Sequence, residues 1–128
     1  MIKILLLLGG GAFGTLARYA VSGWGHKVYV GDFPIGTLLV NLIGSLIIGM
    51  VWGFFEQSSI SSNMRTFLFI GILGGFTTFS SYTLETLNLF RDGEVKLGIM
   101  NVLLNNILGL ALVLVGFLAV VRLINLIR

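Results

Sequence analysis

A cluster of glycine, hydroxyl and aromatic residues lies in the middle of the third apolar stretch of this 128-residue chain. Residues 71–82 read Gly-Ile-Leu-Gly-Gly-Phe-Thr-Thr-Phe-Ser-Ser-Tyr, which predicts a broken helix. Lipid cannot satisfy free backbone groups, so a break at that depth must face other protein, water or an ion. Released carbonyls, for example those of Gly74 and Thr77, can hold a hard cation such as Na⁺. The segment therefore predicts a site that binds or moves something small inside a membrane.

The same segment also carries groups that suit an anion. The hydroxyls of Thr78, Ser80 and Ser81 can donate to an anion or cap a restarting helix. Phe79 and Tyr82 are spaced i, i+3 and so share one helix face, where their positive ring edges can point at an anion. Core packing is the commoner role of two such aromatic residues, and the polar neighbours are what favour a site.

Amide and hydroxyl groups occur in the second and fourth apolar stretches as well. Thr37, Asn41 and Ser45 form part of a polar stripe on the second stretch, and Asn105 and Asn106 lie near the start of the fourth. An amide in a bilayer interior costs free energy unless it finds a hydrogen-bond partner. Asn41 can satisfy this requirement by bonding a neighbouring helix or by donating to a passing anion.

Two charged residues lie within the apolar stretches. Arg18 is late in the first stretch, where it can extend to the headgroups or line an aqueous vestibule that attracts anions. Glu85 lies one turn beyond Tyr82 and either faces a vestibule or marks the exit from the hydrocarbon region.

The glycines of the first stretch have two interpretations. Gly9, Gly11 and Gly14 match G-x-G-x-x-G, and Asp32 follows about 20 residues on, as in a dinucleotide-binding unit. The long apolar spans that follow do not fit that fold. Gly10 and Gly14 instead share a helix face at i, i+4, which predicts close packing against another helix.

The composition requires a lipid environment. Hydrophobic residues make up 56% of the chain and charged residues 10%, with a mean hydropathy of +1.03, whereas soluble domains carry roughly 25% charged residues. Each apolar stretch reaches the roughly 20 residues that cross a bilayer as a helix. The prediction is an all-α membrane protein that forms a single domain over residues 1–128, with four transmembrane helices at about 4–24, 36–55, 67–90 and 97–127.

Several function classes are excluded by residue content. The chain has no cysteine, one histidine (His26, in a connection) and five dispersed carboxylates, so neither a catalytic triad nor a side-chain metal site is expected. The net charge of +3 comes from scattered Lys and Arg without a basic stripe, which argues against nucleic-acid binding. We therefore expect no enzyme activity.

The positive charges do not set an orientation. Four Lys and Arg fall on the side of both termini, and three fall on the other side, or four if Arg18 is counted there. A bias in these residues normally selects the cytoplasmic face. The chain could therefore insert both ways up and pair as an antiparallel, dual-topology dimer. A single topology with only a weak charge signal for its orientation explains the counts equally well.

Three motifs occur in order along the chain: Gly10-Gly11-x-x-Gly14-x-x-x-Arg18, Gly36-Thr37-x-x-x-Asn41 and Gly74-Gly75-Phe76-Thr77-Thr78-Phe79-Ser80. Taken together, these motifs resemble the Fluc (CrcB) fluoride channels over essentially the whole chain. That family consists of passive channels that export fluoride from the microbial cytoplasm, with two pores in each antiparallel homodimer. The resemblance implies a multi-pass protein of the cell inner (plasma) membrane.

The resemblance also implies roles for individual residues. The Gly74 and Thr77 carbonyls of both subunits would enclose a structural Na⁺ at the dimer centre. Asn41 would donate to fluoride, Phe79 would supply a ring edge, and the residues near the aqueous vestibule would be Arg18, Thr37 and Ser80.

This chain departs from the family pattern at two places. Tyr82 stands where a phenylalanine is usual, which adds a hydroxyl to the pore. Serine and tyrosine positions of the fourth helix are matched here by Val102, Asn106 and Leu110, of which only Asn106 can donate.

Two other functions fit a small four-helix membrane protein. A proton-coupled multidrug exporter generally needs a membrane-embedded carboxylate, and Glu85 is the only candidate. A membrane scaffold would explain the glycine seams but not the break.

Overall fold

The computed structural model describes residues 1–127, and within that range the chain is helical without strands. Four helical spans are long and apolar enough to cross a membrane, which confirms the predicted fold class. Each helix extends the predicted span by a few residues. The spans are α1 (Ile2–Val28), α2 (Ile35–Glu56), a third span (Ser62–Arg91) and α5 (Val95–Ile127).

The third span is broken, as the sequence predicts. It consists of α3 (residues 62–76) and α4 (Phe79–Arg91). Between them, Thr77 (φ −78°, ψ 157°) and Thr78 (φ −147°, ψ 118°) are extended. The break is shorter than the predicted segment, because Gly74–Phe76 stays helical.

Local hydrogen bonds explain where the break begins and ends. Thr77 N–H donates to Leu73 O at 2.9 Å, so α3 keeps its ladder up to that point. Thr78 is the N-cap of α4, and its Oγ1 accepts from Ser81 N at 3.2 Å. Only the two threonines lie between these two helical ends.

Two segments, one that precedes the break in α3 and one in α5, are wound as π-helix. They are Thr66–Leu73 in α3 and Leu104–Leu108 in α5. Short π turns within α-helices are frequent at functional sites, since they change the direction of the side chains that follow.

Glycines allow α1 to approach α3 closely, which confirms the predicted packing seam. A Cβ on Gly10 would lie 3.0 Å from Gly71 Cα, and one on Gly14 would overlap Ile72 O and lie 2.9 Å from Phe76 N. Helices α2 and α5 meet in the same way, because a Cβ on Gly49 would overlap the Val113 carbonyl.

Large apolar side chains cover most of the outer surface, as expected for helices in lipid. Leu16, Ile70 and Leu110 are examples, with 65–74% of each side chain exposed. The fully buried interior is small, and its largest side chains are Val40 and the polar Asn101. The polar groups near the break are thus part of the core.

Candidate functional site

A cavity of about 330 Å³ lies at the break, between α2, the third span and α5. Its lining combines backbone of the break with amides, hydroxyls and three aromatic rings, those of Phe69, Phe79 and Tyr82. Thr37, Ser80 and Arg18 lie outside the lining. The cavity brings together six of the residues that the sequence assigns to a site: Asn41, Gly74, Thr77, Phe79, Tyr82 and Asn106.

Asn41 holds the extended backbone at Thr78. Its Nδ2 donates to Thr78 O at 3.0 Å, and its Oδ1 accepts from Thr78 N at 2.9 Å. The side-chain amide thus pairs with this peptide as a neighbouring strand would, which satisfies buried backbone groups inside the bilayer. Because Thr78 N–H donates to Asn41 Oδ1, it does not donate to the carbonyl of Gly74 as it would in a continuous α-helix.

A chain of hydrogen bonds connects Asn41 to α5 and then to α4. Asn41 Nδ2 donates to Asn105 Oδ1 at 2.9 Å, and Asn105 Nδ2 donates to Asn101 Oδ1 at 2.9 Å and to Asn101 O at 3.0 Å. Asn101, which is 1% exposed, donates to Thr86 Oγ1 at 2.9 Å, and Thr86 donates to Tyr82 O at 2.8 Å. The network fixes the break to two other helices.

Two members of this network, Asn101 and Thr86, were missed as candidate site residues, whereas Asn105 was recognised as an intramembrane amide. Asn101 and Asn105 are spaced i, i+4, the spacing of one helix face, and that signal could have paired them. Thr86 gave no such signal, because its partner lies 15 residues away on another helix.

The aromatic pair is in edge contact. The ring centroids of Phe79 and Tyr82 lie 5.5 Å apart at an interplanar angle of 66°. Tyr82 is 7% exposed, whereas Phe79 is 74% exposed in the single chain. Asn106 Nδ2 donates to Tyr82 Oη at 3.0 Å, so the additional hydroxyl of Tyr82 has a partner on α5.

The asparagines of α5 have two different partners: the expected Asn106 contacts Tyr82, and Asn105, one position earlier, contacts Asn41. Asn101 and Asn105 form the side toward Asn41, whereas Leu110 is 74% exposed on the outer surface.

The remaining predicted residues lie outside the cavity. Thr37 Oγ1 donates to Glu85 Oε1 at 2.6 Å, and Ser80 Oγ is 3.4 Å from Thr78 Oγ1. Arg18 lines a separate depression of about 590 Å³ whose lining includes His26 and Lys27. A basic depression of this kind attracts anions.

Backbone carbonyls are the available ligands for a cation near the break. Within residues 1–127 there is no group of three or more His, Cys, Asp or Glu side chains that could hold a metal. Gly74 is exposed in the single chain. In a continuous helix the N–H of Thr78 would donate to the Gly74 carbonyl, but here it donates to Asn41 Oδ1. Thr77 precedes the N-cap of α4, so its carbonyl lies outside that helix's ladder. These two carbonyls fit a hard cation such as Na⁺.

The fold and the cavity define a class of protein: a multi-pass membrane protein with an open cavity, lined in part by amides and hydroxyls, at a broken helix. Comparison with known proteins then places it more narrowly. Residues 5–117 match the family described as CrcB-like protein, Camphor Resistance (CrcB), and the chain belongs to this family.

Its relatives match over nearly the whole length. A protein of Parabacteroides distasonis is 47% identical over 128 residues, which is all of both chains. A protein of Desulfotalea psychrophila is 47% identical over 117 residues (91% of both chains), and one of Salinibacter ruber is 45% identical over 119 residues (91% of this chain and 87% of the relative). All three are named fluoride-specific ion channel FluC.

Proposed function

We propose that this chain is a passive, fluoride-selective channel that exports fluoride from the cytoplasm across the cell inner membrane. The observation that carries the proposal is the 47% identity, over the full length of both chains, to a relative named fluoride-specific ion channel FluC. The cavity at the broken third span supports it, because neutral amide, hydroxyl and aromatic groups line it inside a membrane protein.

The chemistry of the cavity suits a small, strongly hydrated anion. Moving a bare ion into a medium of low dielectric constant costs tens of kcal/mol by Born estimates. The pore must replace the lost water contacts, yet it must hold the ion weakly enough for exit. Amides, hydroxyls and ring edges meet both requirements. The proposed pore residues are Asn41, Phe79, Tyr82, Asn106, Ser80 and Thr37, with Arg18 in the vestibule.

For Asn41 to donate to fluoride, the ion must replace one of its present acceptors. Both Nδ2 hydrogens are engaged, one with Thr78 O and the other with Asn105 Oδ1. A fluoride ion that displaces Asn105 Oδ1 would leave the bonds between Asn41 and Thr78 intact. The proposed donor role is therefore compatible with a role in holding the break.

The proposal includes pairing with a second copy in inverted orientation, which gives two pores per homodimer. The near-equal numbers of Lys and Arg on the two sides of the membrane support dual topology. The Gly74 and Thr77 carbonyls of both copies would hold a structural Na⁺ between the subunits. That ion would neutralise the carbonyl dipoles that converge there and hold the two broken helices together.

The exporter alternative is not favoured. The three relatives that match nearly the whole chain at 45–47% identity are named fluoride-specific ion channel FluC.

Fluoride efflux from proteoliposomes tests the proposal. We expect potassium fluoride to leave when valinomycin is added, without a pH gradient, and potassium chloride to stay. Phe79→Ile should abolish efflux, while the matched Phe13→Ile, at an exposed site on α1 outside the cavity lining, should not. Flux that requires a pH gradient and disappears in Glu85→Gln would favour the exporter instead.

A further inference from the structure

The donor groups that line the cavity are almost all committed within the chain. Asn105 Nδ2 bonds Asn101 O and Oδ1, and Asn106 Nδ2 bonds Val102 O and Tyr82 Oη. Across the described residues, this leaves two lining hydroxyls whose hydrogen has no acceptor. The side chains whose donor hydrogens are already used are Asn41, Thr77, Thr78, Asn105 and Asn106.

The two hydroxyls are those of Ser45 and Tyr82. Ser45 is half-buried on α2, and a serine hydroxyl on a helix can rotate to the carbonyl of the preceding turn. The Tyr82 hydroxyl has no such local acceptor within reach of its ring. Tyr82 is also the more buried of the two, at 7% exposed.

Asn106 sets the direction of the Tyr82 O–H. A phenol O–H prefers the plane of its ring, where the oxygen has one position for its hydrogen and one for an incoming donor. Asn106 Nδ2 takes the acceptor position at 3.0 Å. The hydrogen of Tyr82 must then point to the opposite side of the oxygen.

We propose that the Tyr82 O–H is a hydrogen-bond donor to the anion in this cavity and that Asn106 is the positioning residue that aims it. The inference rests on the proposed fluoride function and extends it to a donor that a phenylalanine at this position would lack. A neutral hydroxyl fits the cavity, because it contributes a strong hydrogen bond to an anion without the tight hold of a fixed positive charge.

A double-mutant cycle in proteoliposomes tests the proposal. The measured quantity is the fluoride concentration that gives half-maximal efflux in wild type, Tyr82→Phe, Asn106→Leu and the double variant. Loss of a hydrogen bond to a charged group predicts a rise of about tenfold in Tyr82→Phe. Asn106→Leu should raise the value as well, and it should have no further effect once Tyr82 is phenylalanine. Asn125→Leu, an exposed asparagine on the same helix, should not change it.

The outcomes separate this inference from the function on which it rests. Absence of fluoride efflux in the wild type would overturn the proposed function. Efflux in the wild type, with Tyr82→Phe within twofold of it or with independent effects of the two variants, would overturn only the role of Tyr82.

Infrared spectroscopy gives a second readout that does not depend on transport or on a foldable Tyr82 variant. With Tyr19 and Tyr29 replaced by phenylalanine and the remaining tyrosine isotope-labelled, the C–O stretch reports the hydrogen bonds of Tyr82 alone. We expect fluoride, but not chloride, to shift this band. An unchanged band at saturating fluoride would overturn the proposal.

Discussion

Asn41 should stabilise the folded chain, because it pairs with the backbone of the break. In Asn41→Leu, a side chain of similar size that cannot hydrogen-bond, three partner atoms lose their bond: Thr78 N, Thr78 O and Asn105 Oδ1. Interhelical hydrogen bonds in membranes average about 0.6 kcal/mol, which gives about 2 kcal/mol for the three. Thr78 is 8% exposed, and buried unsatisfied groups cost about 1–3 kcal/mol each. The two Thr78 groups then give about 2–6 kcal/mol, and we expect a loss of that size in the free energy of unfolding.

Equilibrium unfolding in mixed micelles, followed by tryptophan fluorescence, measures this loss. Trp52 is a suitable reporter, because its ring contacts Phe69 of α3 with centroids 5.8 Å apart. Asn125→Leu makes the same replacement at an exposed asparagine and should cost no more than about 0.5 kcal/mol. If Asn41→Leu were also within about 0.5 kcal/mol of the wild type, Asn41 would not hold the break.

Three further predictions concern packing, the buried network and the vestibule. Gly14→Ala should cost about 1–3 kcal/mol in the free energy of unfolding, because its Cβ would overlap the backbone of α3. Gly9→Ala, with open space around the added Cβ, should cost nothing. The same unfolding assay compares the two variants. Thr86→Val should cost about 1–3 kcal/mol, since it leaves the amide of the fully buried Asn101 without its acceptor; equal stability to the wild type would contradict this. Arg18→Gln should slow fluoride efflux at low ionic strength and have little effect at 1 M salt, where the Debye length falls to about 3 Å. An equal effect at both salt concentrations would exclude electrostatic attraction of fluoride by Arg18.

The elements of the fold could be predicted because lipid imposes simple rules. Long apolar runs predicted the four spans, and the small residues Gly10 and Gly14 predicted a seam that α3 does occupy. The break was predicted from its glycines and hydroxyls, but its extent was not. Gly71 and Gly75 serve close packing against α1 and remain helical, so only Thr77 and Thr78 leave the helix.

The contacts within the site were harder to predict, because they depend on where each side chain points in the tertiary structure. The spacing of residues along the sequence does not give this information. Asn41 was recognised as a polar group in need of partners, but its pairing with the peptide of Thr78, 37 residues away, needed the tertiary structure. Asn105 and Asn106 are consecutive, yet one bonds Asn41 and the other bonds Tyr82. The π turn that contains both residues changes the α-helical periodicity on which a sequence argument relies.

The reversal potential of a planar bilayer that contains the protein tests the central claim most directly. With a fluoride gradient in one direction and an opposed chloride gradient, a passive fluoride channel should carry a current that reverses at the fluoride equilibrium potential. A current that reverses at the chloride potential, or a bilayer that stays silent with correctly folded protein present, would contradict the account.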